Sequence, residues 1–511
     1  MAKYFPDLEE FRRAVTAGAQ VIPVWRQLLA DRLTPVTAFE LLGGDASHAF
    51  LLESVVGIER IGRYSFIATS PRFVYQVKDG KGTIEQLVPE RSVTNVDAPD
   101  PLAVMERLLP AKRYHHDKRL PNFTGGLVGF AGYDTIRYYE GEKLTRPPAD
   151  DRGLPDLMFG MYGELVIFDH LDKTIKIVAN AEIEKSEARS EKREDSIDAA
   201  YRDACVRIDG LVAKLQKPVA GESGEIDTSG AVTLAFESNM TRPQFEEAVT
   251  RGKEYIKAGD IFQFVPSQRL RVRSQADPFD VYRALRVINP SPFMFYLKSP
   301  QCTLIGASPE ILCRVMDGEV TSRPLAGTRR RGATEAEDKA LEVELLADPK
   351  ERAEHIMLVD LHRNDVGRVS VIGSVKVTDC MVVERYSHVM HITSNVVGRL
   401  APGKTAMDAL RVSLPVGTVS GAPKIRAMQI IDELEPTRRG PYGGAVGYLD
   451  FAGNMDTCIA LRTIVWQAGG VYDVQAGAGI VADSVPASEW EETMNKAKAL
   501  LKAVEVAGRG L

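Results

Sequence analysis

The chain has 511 residues, 44% of them apolar, which is enough for about three domains of roughly 150 residues and a large core. Its 64 basic and 70 acidic residues leave a formal net charge of −6, which argues against a protein that binds a nucleic-acid backbone. No secretory signal or membrane-length apolar run is present, and the five cysteines are far apart. We therefore expect a cytoplasmic protein with reduced cysteines and no membrane or nucleic-acid partner.

Short apolar runs and turn signals alternate over the first part of the chain. Strands are predicted at residues 51–56 and 64–68, where Gly57 and Pro71 end apolar runs, and two more within residues 159–178. Residues 184–216 predict one long amphipathic helix, because apolar residues recur there at helical spacing. We expect this stripe to pack into the core: Ile197, Tyr201, Ala204, Ile208, Leu211 and Leu215.

A stretch rich in proline, glycine and serine at residues 217–230 marks the main boundary of the chain. Such a composition is typical of a linker, because these residues neither pack well nor extend a helix. We therefore predict an N-terminal region at residues 1–216, a linker at 217–238 and a C-terminal domain at 239–508.

Helix signals are clearer in the C-terminal domain. Thr241 and Gln244 have the spacing of a capping box, and Gly259 is a good helix stop, so a helix is predicted between them. A strand is predicted at residues 261–272. The last helix is predicted from Ser488 to about residue 507, at the end of the chain.

Two Glu-x-x-Glu pairs lie in the first turns of predicted helices, each pair on one helix face. Either pair alone is explained by the helix macrodipole and by capping. Four carboxylates could converge only around a cation, however, and an all-oxygen ligand set favours Mg²⁺ over Zn²⁺. The spacing permits such a site without requiring it. The pairs are Glu351 with Glu354 after Asp348 as N-cap, and Glu489 with Glu492 after Ser488 as N-cap.

Two glycine-rich segments imitate nucleotide-binding motifs. Residues 477–482 match G-x-G-x-x-A, but a dinucleotide fold would begin a helix at once, whereas residues 483–486 intervene. Residues 417–424 resemble a P-loop, but Ile425 stands where Ser or Thr is needed. We reject both nucleotide sites, although glycines at 477 and 479 still permit close approach of an anion.

Three other places carry reactive side chains. Residues 323–331 bring several arginines beside a turn and could be a solvated loop. His391 lies in an apolar, strand-like run, where most histidines are hydrogen-bonded core residues, although this one could titrate near neutrality. Glu310 lies next to a turn and is either an ordinary surface acid or an acid with a raised pKa.

Together these segments resemble the chorismate-binding family and, within it, the large subunits of anthranilate synthases, over nearly the whole chain. The resemblance implies an α+β fold, in which stacked antiparallel sheets flanked by helices form an αββα sandwich with an N-terminal regulatory region. Many ordered blocks make coincidence implausible. The matching blocks are residues 262–269, 306–310, 323–332, 351–365, 414–424, 440–444, 475–479 and 492–497.

The resemblance implies a Mg²⁺-dependent lyase that forms anthranilate and pyruvate from chorismate and ammonia, at the start of tryptophan biosynthesis. Glu354 and Glu492 would be the main metal ligands, with Glu351 and Glu489 binding directly or through water. The substrate carboxylates would bind to a larger set of residues. That set is Gly327, Thr328, Tyr442, Arg462, Gly477, Ala478, Gly479 and Lys496.

The same resemblance assigns the catalytic residues. Glu310 would protonate the departing ring hydroxyl, and His391 would assist proton movement as pyruvate leaves. Thr328 and Gln263 complete the predicted catalytic set. Gln263 replaces the water-activating lysine of isochorismate-forming relatives, which indicates a user of ammonia. Ala326 replaces the lysine of aminodeoxychorismate synthases, which disfavours that nearest rival.

Two further segments resemble the family's binding site for tryptophan as a feedback inhibitor. Relatives often have tyrosine where Phe293 stands, so the strength of inhibition stays open. The plain alternative is strand and turn structure, and the two segments would have to meet across a long gap. The predicted inhibitor residues are Glu53, Ser54, Asn289, Pro290, Ser291, Pro292, Phe293 and Met294.

Partners also follow from the resemblance. No cysteine nucleophile of a glutaminase can be identified in the sequence. The resemblance therefore implies a separate glutamine amidotransferase subunit that supplies ammonia, in a heterotetramer. A different class of function is a catalytically idle tryptophan sensor, but such a protein would lack acids of the metal cluster, and all four are present here.

Overall fold

The computed structural model describes residues 3–54, 62–109, 113–183, 190–219, 224–385 and 389–511. Among these, no helix combines the length and the apolar character needed to cross a membrane. Short 3₁₀ helices lie at Tyr133–Ile136 and Gly417–Val419. The α-helices are α1 (Leu8–Thr16), α2 (Pro35–Gly43), α3 (Pro101–Leu108), α4 (Arg137–Glu140), α5 (Ser190–Leu215), α6 (Arg242–Lys257), α7 (Pro278–Ile288), α8 (Glu335–Ala347), α9 (Pro349–Gly367), α10 (Ala406–Ser413), α11 (Lys424–Leu434) and α12 (Pro486–Ala507).

The strands belong mostly to two large sheets, and their ladders are antiparallel. In chain order they are β1 (Val21–Leu29), β2 (Ala49–Glu53), β3 (Tyr64–Thr69), β4 (Phe73–Lys78), β5 (Lys81–Gln86), β6 (Ser92–Asp97), β7 (Gly126–Ala131), β8 (Leu157–Tyr162), β9 (Glu164–Asp169), β10 (Thr174–Glu182), β11 (Glu237–Ser238), β12 (Gln263–Phe264), β13 (Ser267–Arg273), β14 (Phe293–Lys298), β15 (Thr303–Ser308), β16 (Ile311–Met316), β17 (Glu319–Ser322), β18 (Leu325–Arg330), β19 (Lys376–Val377), β20 (Val382–Arg385), β21 (Val389–Thr393), β22 (Val396–Arg399), β23 (Gly421–Ala422), β24 (Ala445–Asp450), β25 (Met455–Ile459), β26 (Thr463–Gln467) and β27 (Val471–Gly477).

Both large sheets combine strands from the two ends of the chain. The first runs β1-β10-β9-β3-β2-β14-β15-β26-β27-β13-β11, so the N-terminal β2 pairs with the C-terminal β14. The second runs β19-β22-β17-β16-β25-β24-β7-β8-β4-β5-β6 and joins the halves where β24 pairs with β7. Smaller sheets are β12-β23 and β18-β21-β20. The predicted boundary at residues 217–238 thus separates parts of the sequence but divides neither large sheet.

The core has the layers of a sandwich. Phe50 and Val178 of the first sheet pack with Phe130 and Val446 of the second, in an apolar layer between the sheets. The outer face of the first sheet is covered by α5, α7 and α12, and that of the second by α3 and α10. These stacked antiparallel sheets with helices on the outside confirm the predicted α+β class.

Several local predictions are confirmed. Helix α6 begins with a reciprocal capping box between Thr241 and Gln244. Helix α5 covers most of the predicted amphipathic stretch, and Ala204, Ile208 and Leu215 of its stripe are buried. Among the described residues of the predicted linker, only β11 forms regular structure. The predicted strand end at Gly57 lies outside the described residues.

Three local predictions are wrong. Residues 159–178 contain parts of three strands, β8, β9 and β10, because a second tight connection at Gly163 follows β8. The strand expected at residues 261–272 breaks into β12 and β13 at Val265-Pro266. Helix α12 begins at Pro486 rather than after Ser488, since proline is favourable in a first helical turn.

Candidate active site

The two Glu-x-x-Glu pairs lie on neighbouring elements, α9 and α12. Burial raises the pKa of Glu354, and the charges of Glu351 and Glu492 raise it further. Burial also raises the pKa of Glu489; a hydrogen bond from Ser484 opposes this shift, and the charge of Glu492 adds to it. Like charges raise one another's pKa only at short range, so the four predicted metal ligands share one electrostatic environment.

The four carboxylates do not form a complete metal coordination site in this structure. Among the described residues, no group of three acidic, histidine or cysteine side chains has the geometry to hold a metal ion. Glu351 is held by Arg329 at 2.9 Å, and Glu492 by Lys496 at 2.7 Å. The two cations offset part of the repulsion among the acids.

Helix α9 begins as predicted, but α12 does not. The Asp348 carboxylate caps α9 by accepting bonds from the Lys350 and Glu351 N–H groups at 2.9 and 3.3 Å. Residue Val485 precedes the first turn of α12, and no side chain caps it. The acids Glu489 and Glu492 therefore complement an uncapped helix N-terminus.

The segment at Gly477–Gly479 runs through closely packed polar groups. A Cβ added at Gly479 would come 2.7 Å from Nε2 of Gln263, and one at Gly477 would come 3.0 Å from the Tyr442 hydroxyl. Lys496 donates to the Gly477 carbonyl at 3.0 Å, while the Ala478 N–H donates to a backbone carbonyl of Pro266 at 3.2 Å. Only glycine fits at both positions, because the space for a side chain is already filled.

Gln263 faces the acid cluster. Its Nε2 approaches Oε1 of Glu354 at 3.5 Å, and within the described part of the chain its buried Oε1 has no hydrogen-bond partner. An unpaired buried acceptor is costly unless a ligand or water satisfies it. Gln263 thus offers an acceptor towards the site, beside the predicted metal ligands.

His391 lies on β21 opposite the predicted substrate residues of β18. Its Nδ1 is 3.1 Å from the Gly327 carbonyl and 3.0 Å from Oγ1 of Thr328. Burial lowers the pKa of His391 to about 4, so the ring is neutral near pH 7. A proton on Nδ1, donated to the Gly327 carbonyl, leaves Nε2 able to accept a proton.

Gly327 shows why β18 bulges at this point. Its φ of +70° is in the left-handed region, and the ladder with β21 shifts between Ala326 and Thr328. A Cβ at Gly327 would lie 3.2 Å from Oε2 of Glu351. The bulge therefore brings the backbone of β18 close to the acid pair of α9.

Glu310, between β15 and β16, is buried. Burial raises its pKa to about 8, although polar groups at Leu325 and Thr418 oppose the shift. Among the described residues, neither Oε1 of Glu310 nor Oγ1 of Thr418 has a hydrogen-bond partner of normal geometry. Near neutral pH this carboxyl group is protonated and can act as an acid.

Arg462 is a mostly buried cation whose guanidinium has no hydrogen-bond or ion-pair partner among the described residues. Burial lowers its pKa, while Tyr442 and Glu492 raise it from nearby. The residue has a φ of +48°, a strained backbone conformation for a residue with a side chain. A guanidinium left unpaired beside an acid cluster is suited to binding an anion.

The two predicted inhibitor segments do meet. Glu53 pairs with Met294 in the ladder between β2 and β14, and a cavity of about 110 Å³ lies there. Of the predicted inhibitor residues, Asn289, Pro290 and Ser291 are not among those that line it. The cavity is lined by Leu52, Glu53, Ser54, Tyr64, Phe66, Pro292, Phe293, Met294, Phe295, Arg314, Val446, Gly447, Tyr448, Asp456 and Cys458.

Glu53 lines this cavity and also has partners within the fold. Its carboxylate accepts from the Tyr282 hydroxyl at 2.6 Å and pairs with Arg286 at 2.8 Å. Ser65 donates to it at 3.3 Å. Glu53 therefore connects α7 and β3 next to the cavity.

The sequence motifs did not identify the residues of the opposite wall, among them Tyr448 and Arg314, because these residues are distant in sequence from both segments.

Known proteins resemble this chain over most of its length. The family described as chorismate binding enzymes matches residues 60–502. The anthranilate synthase component 1 of Pseudomonas aeruginosa is 48% identical over 500 residues, covering 98% of each chain, and that of Aquifex aeolicus is 46% identical over 502 residues, again covering 98% of each. The chloroplastic anthranilate synthase alpha subunit 1 of Arabidopsis thaliana is 43% identical over 524 residues, 96% of this chain and 86% of that protein.

Solved structures show the same fold. The anthranilate synthase component I of Streptococcus pneumoniae is 38% identical with a TM-score of 0.74, covering 93% of this chain and 99% of that one. The menaquinone-specific isochorismate synthase of Escherichia coli is 18% identical with a TM-score of 0.67, covering 97% and 98%. The second likeness concerns the fold alone.

Proposed function

The chain belongs to the family of chorismate binding enzymes, and on that premise we propose that it forms anthranilate and pyruvate from chorismate and ammonia, as a lyase at the start of tryptophan biosynthesis. The observation that carries this proposal is the arrangement around Glu354. The charges of Glu351 and Glu492 act on Glu354, and Glu492 also acts on Arg462, a guanidinium with no ion-pair partner within 4 Å among the described residues. Arg462 and a metal ion held by the acids could each bind one of the two carboxylates of chorismate.

The donor set supports Mg²⁺ as the cofactor. Repulsion between Glu354, Glu351 and Glu492 is relieved by a divalent cation, and carboxylate oxygens suit Mg²⁺. Glu354 and Glu492 would hold the ion, and Glu351 and Glu489 would bind directly or through water. When bound, the ion would supply positive charge against the ring carboxylate of chorismate.

The other groups bind and orient the substrate. Arg462, Tyr442 and the backbone at Gly477–Gly479 would receive its second carboxylate, with Lys496 behind them. Burial raises the pKa of Tyr442 to about 12, so its hydroxyl stays protonated and can donate a hydrogen bond. The closely packed glycines let the backbone approach an anion without steric conflict.

Proton transfers follow from two perturbed groups. Protonated Glu310 would donate its proton to the ring hydroxyl, which leaves as water while ammonia attacks the carbon beside the carboxylate-bearing carbon. Nε2 of neutral His391 would accept a ring proton as the enolpyruvyl group leaves. That group takes up a proton to become pyruvate, so chorismate and ammonia yield anthranilate, pyruvate and water.

A first test is product identification. The purified chain is incubated with chorismate, Mg²⁺ and ammonium at mildly alkaline pH, with and without EDTA, and products are identified by fluorescence and mass spectrometry. We expect anthranilate with equimolar pyruvate, lost on adding EDTA. Aminodeoxychorismate or isochorismate as product would contradict the interpretation of Ala326 or Gln263 and leave the family intact.

We expect the Glu354→Gln variant to bind Mg²⁺ at least about tenfold more weakly, because a direct ligand loses its charge. Mg²⁺ at about 100 times its Kd should stabilise the wild-type protein by about 2.7 kcal/mol, and this gain should shrink in the variant. The measurement is thermal unfolding against Mg²⁺ concentration. The matched control is Glu491→Gln on α12, since that carboxylate pairs instead with Arg242 at 3.0 Å. Equal Mg²⁺ responses in both variants would contradict the assignment.

We place feedback inhibition by tryptophan in the cavity that β2 and β14 of the first sheet line together with β16, β24 and β25 of the second. Its wall combines aromatic and apolar side chains with polar groups at Ser54, Arg314 and Asp456, which fits an amphipathic amino acid. Phe293 has no hydroxyl, so its ring can make only apolar contacts with a bound ligand.

Phe293→Ala should weaken inhibition by tryptophan about tenfold, since roughly 1–2 kcal/mol of apolar contact is lost. The inhibition constant is measured with ammonia as substrate, alongside tryptophan binding by calorimetry without chorismate. Val287→Ala, at an exposed position on α7 outside the cavity lining, is the control. Unchanged inhibition in Phe293→Ala would place the inhibitor elsewhere.

We also propose that a separate glutamine amidotransferase subunit supplies ammonia, in a heterotetramer in the cytoplasm. The names of the relatives, component 1 and alpha subunit, support a second component. The five cysteines form no disulfide within the described residues, which supports a reducing compartment. Glutamine-dependent turnover that appears only after adding such a subunit would test the partnership.

A further inference from the structure

A buried ion pair, Arg439 with Glu435, lies outside the set of predicted site residues. Both side chains are only 2% exposed. Nε of Arg439 donates to Oε2 of Glu435 at 3.0 Å, and Nη2 donates to Oε1 at 2.5 Å. The pair joins the end of α11 to the loop that carries Tyr442.

The pair also holds two other segments, residues 265–267 and the segment around Val419. Arg439 donates to the Val419 and Val265 carbonyls, each at 2.6 Å. Glu435 accepts from the N–H and hydroxyl of Ser267 at 2.7 and 2.9 Å. All three guanidinium nitrogens donate and both carboxylate oxygens accept, so these buried charges are paired and hydrogen-bonded.

Both segments carry a predicted catalytic residue or a neighbour of one. Val265 follows Gln263 by two residues, and Val419 follows Thr418, whose hydroxyl lies near Glu310. A single guanidinium therefore fixes the spacing between the Gln263 side and the Glu310 side of the site.

The remaining contacts lead to the substrate-binding side. Ser267 pairs with Gly477 in the ladder between β13 and β27, and its hydroxyl accepts from Gln475 at 2.8 Å. The guanidinium carbon of Arg439 lies 4.5 Å from the ring centre of Tyr133 and 5.7 Å from that of Tyr442. The pair thus also supports the glycine segment and the ring of Tyr442.

Stability alone does not account for such a pair. Replacing a buried ion pair by apolar residues of similar volume is often neutral or stabilising, because removing both charges from water is costly. Two apolar side chains could not, however, bond the backbone of Val265, Val419 and Ser267. The charged side chains of Arg439 and Glu435 therefore fix the positions of these segments relative to one another.

We propose that Arg439 and Glu435 are positioning residues that hold the Gln263, Thr418 and Gly477 segments and the Tyr442 ring in one arrangement around the substrate. The inference rests on the proposed function. Neither residue is placed in contact with the substrate; both act through the segments they bind. Misplacing reacting groups by about 1 Å can cost about 100-fold in rate.

The test compares Arg439→Lys with Arg137→Lys. Lysine keeps the charge but loses the planar fork, so it cannot bond all the partners of Arg439 at once. Arg137 is a matched control, because it also joins buried carboxylates, Asp134 and Asp432, and a backbone carbonyl, that of Leu144, outside the site. The readouts are thermal unfolding, kcat and KM for chorismate with ammonia, and hydrogen exchange.

For Arg439→Lys we expect kcat to fall by about tenfold or more, with KM for chorismate changed by less than about threefold. Amide exchange should rise together in residues 263–267, 417–421 and 475–479. Arg137→Lys should lose a similar amount of thermal stability and keep the wild-type kcat. Equal stability losses with wild-type kcat in both variants would overturn the proposal.

Two further arms keep the result decisive. If Arg439→Lys does not fold, the double variant Arg439→Gln with Glu435→Gln replaces it, and the same changes in kcat, KM and amide exchange are expected. Its amide side chains can still hydrogen-bond the backbone, and no buried charge is left unpaired. If the wild-type protein makes no anthranilate, the proposed function fails by itself. The positioning role is then decided by the exchange data, and unchanged exchange in the three segments would overturn it.

Discussion

Replacing Glu310 by glutamine should lower kcat by about 10²- to 10⁴-fold, the usual contribution of a positioned general acid. Glutamine has nearly the same shape as the protonated carboxyl group but no proton to give at neutral pH. Since burial raises the pKa of Glu310 to about 8, the wild-type kcat should fall as the pH rises through about 8. That alkaline limb should be missing from the profile of the residual activity of Glu310→Gln.

The same substitution should stabilise the folded protein at alkaline pH. Between its ordinary value of 4.5 and about 8, Glu310 holds a proton in the folded state and loses it in the unfolded state. The folded state therefore binds more protons, so stability falls as the pH rises through this window, by on the order of a few kcal/mol in total. Glutamine does not titrate, so the gain of Glu310→Gln over wild type should grow across the window and persist above it.

Steady-state kinetics and thermal unfolding from mildly acidic to mildly alkaline pH measure both effects. Glu319→Gln, an exposed acid on β17, is the matched control and should change neither. A variant that kept wild-type kcat would remove Glu310 from the mechanism. A variant that lost activity and stability together would indicate a structural role instead.

Replacing Arg462 by methionine should lower kcat/KM for chorismate on the order of 10²- to 10³-fold, since a buried charge partner of a carboxylate contributes roughly 2–5 kcal/mol. Arg462 has no hydrogen-bond or ion-pair partner among the described residues, so the substrate would be its counter-ion. Much of the loss should appear in KM, because the contact exists in the bound ground state.

Arg462→Met should also be more stable than the wild-type protein without substrate. Burial is the main cause that lowers the pKa of this guanidinium, which shows that the fold disfavours its charge. The positive φ is retained in the variant, so the backbone strain is unchanged and only the cost of the charge is removed. Such opposite effects on activity and stability are typical of functional residues.

Chorismate binding by calorimetry, kcat/KM and thermal unfolding test this result. Arg273→Met, at an exposed position on β13, controls for the loss of one positive charge from the molecule. Parallel losses of activity and stability in Arg462→Met would mean that the guanidinium supports the fold. Unchanged kcat/KM would show that the substrate carboxylate binds elsewhere.

The sequence by itself determined the features that depend on neighbouring residues. The capping box of Thr241 and Gln244, the cap at Asp348 and the apolar stripe of α5 follow from spacings of a few residues. The motifs around Glu351, Gly327 and Gly477 also identified the family, which the comparisons confirm. These signals are local, because helix capping and periodicity are local interactions.

Only the tertiary structure decided how distant segments combine. The pairing of β2 with β14 brings together the two segments that line the cavity proposed for tryptophan. It also joins the two predicted domains in one sheet, and no local pattern specifies that register. The use of Glu53 by Tyr282 and Arg286 and the clamp of Arg439 on Val265 and Val419 likewise depend on long-range packing. The raised pKa of Glu310 and the lowered pKa of Arg462 come from burial, which a linear sequence does not contain. The sequence therefore identified which residues belong to the candidate site, whereas the fold set their protonation states and their positions relative to one another.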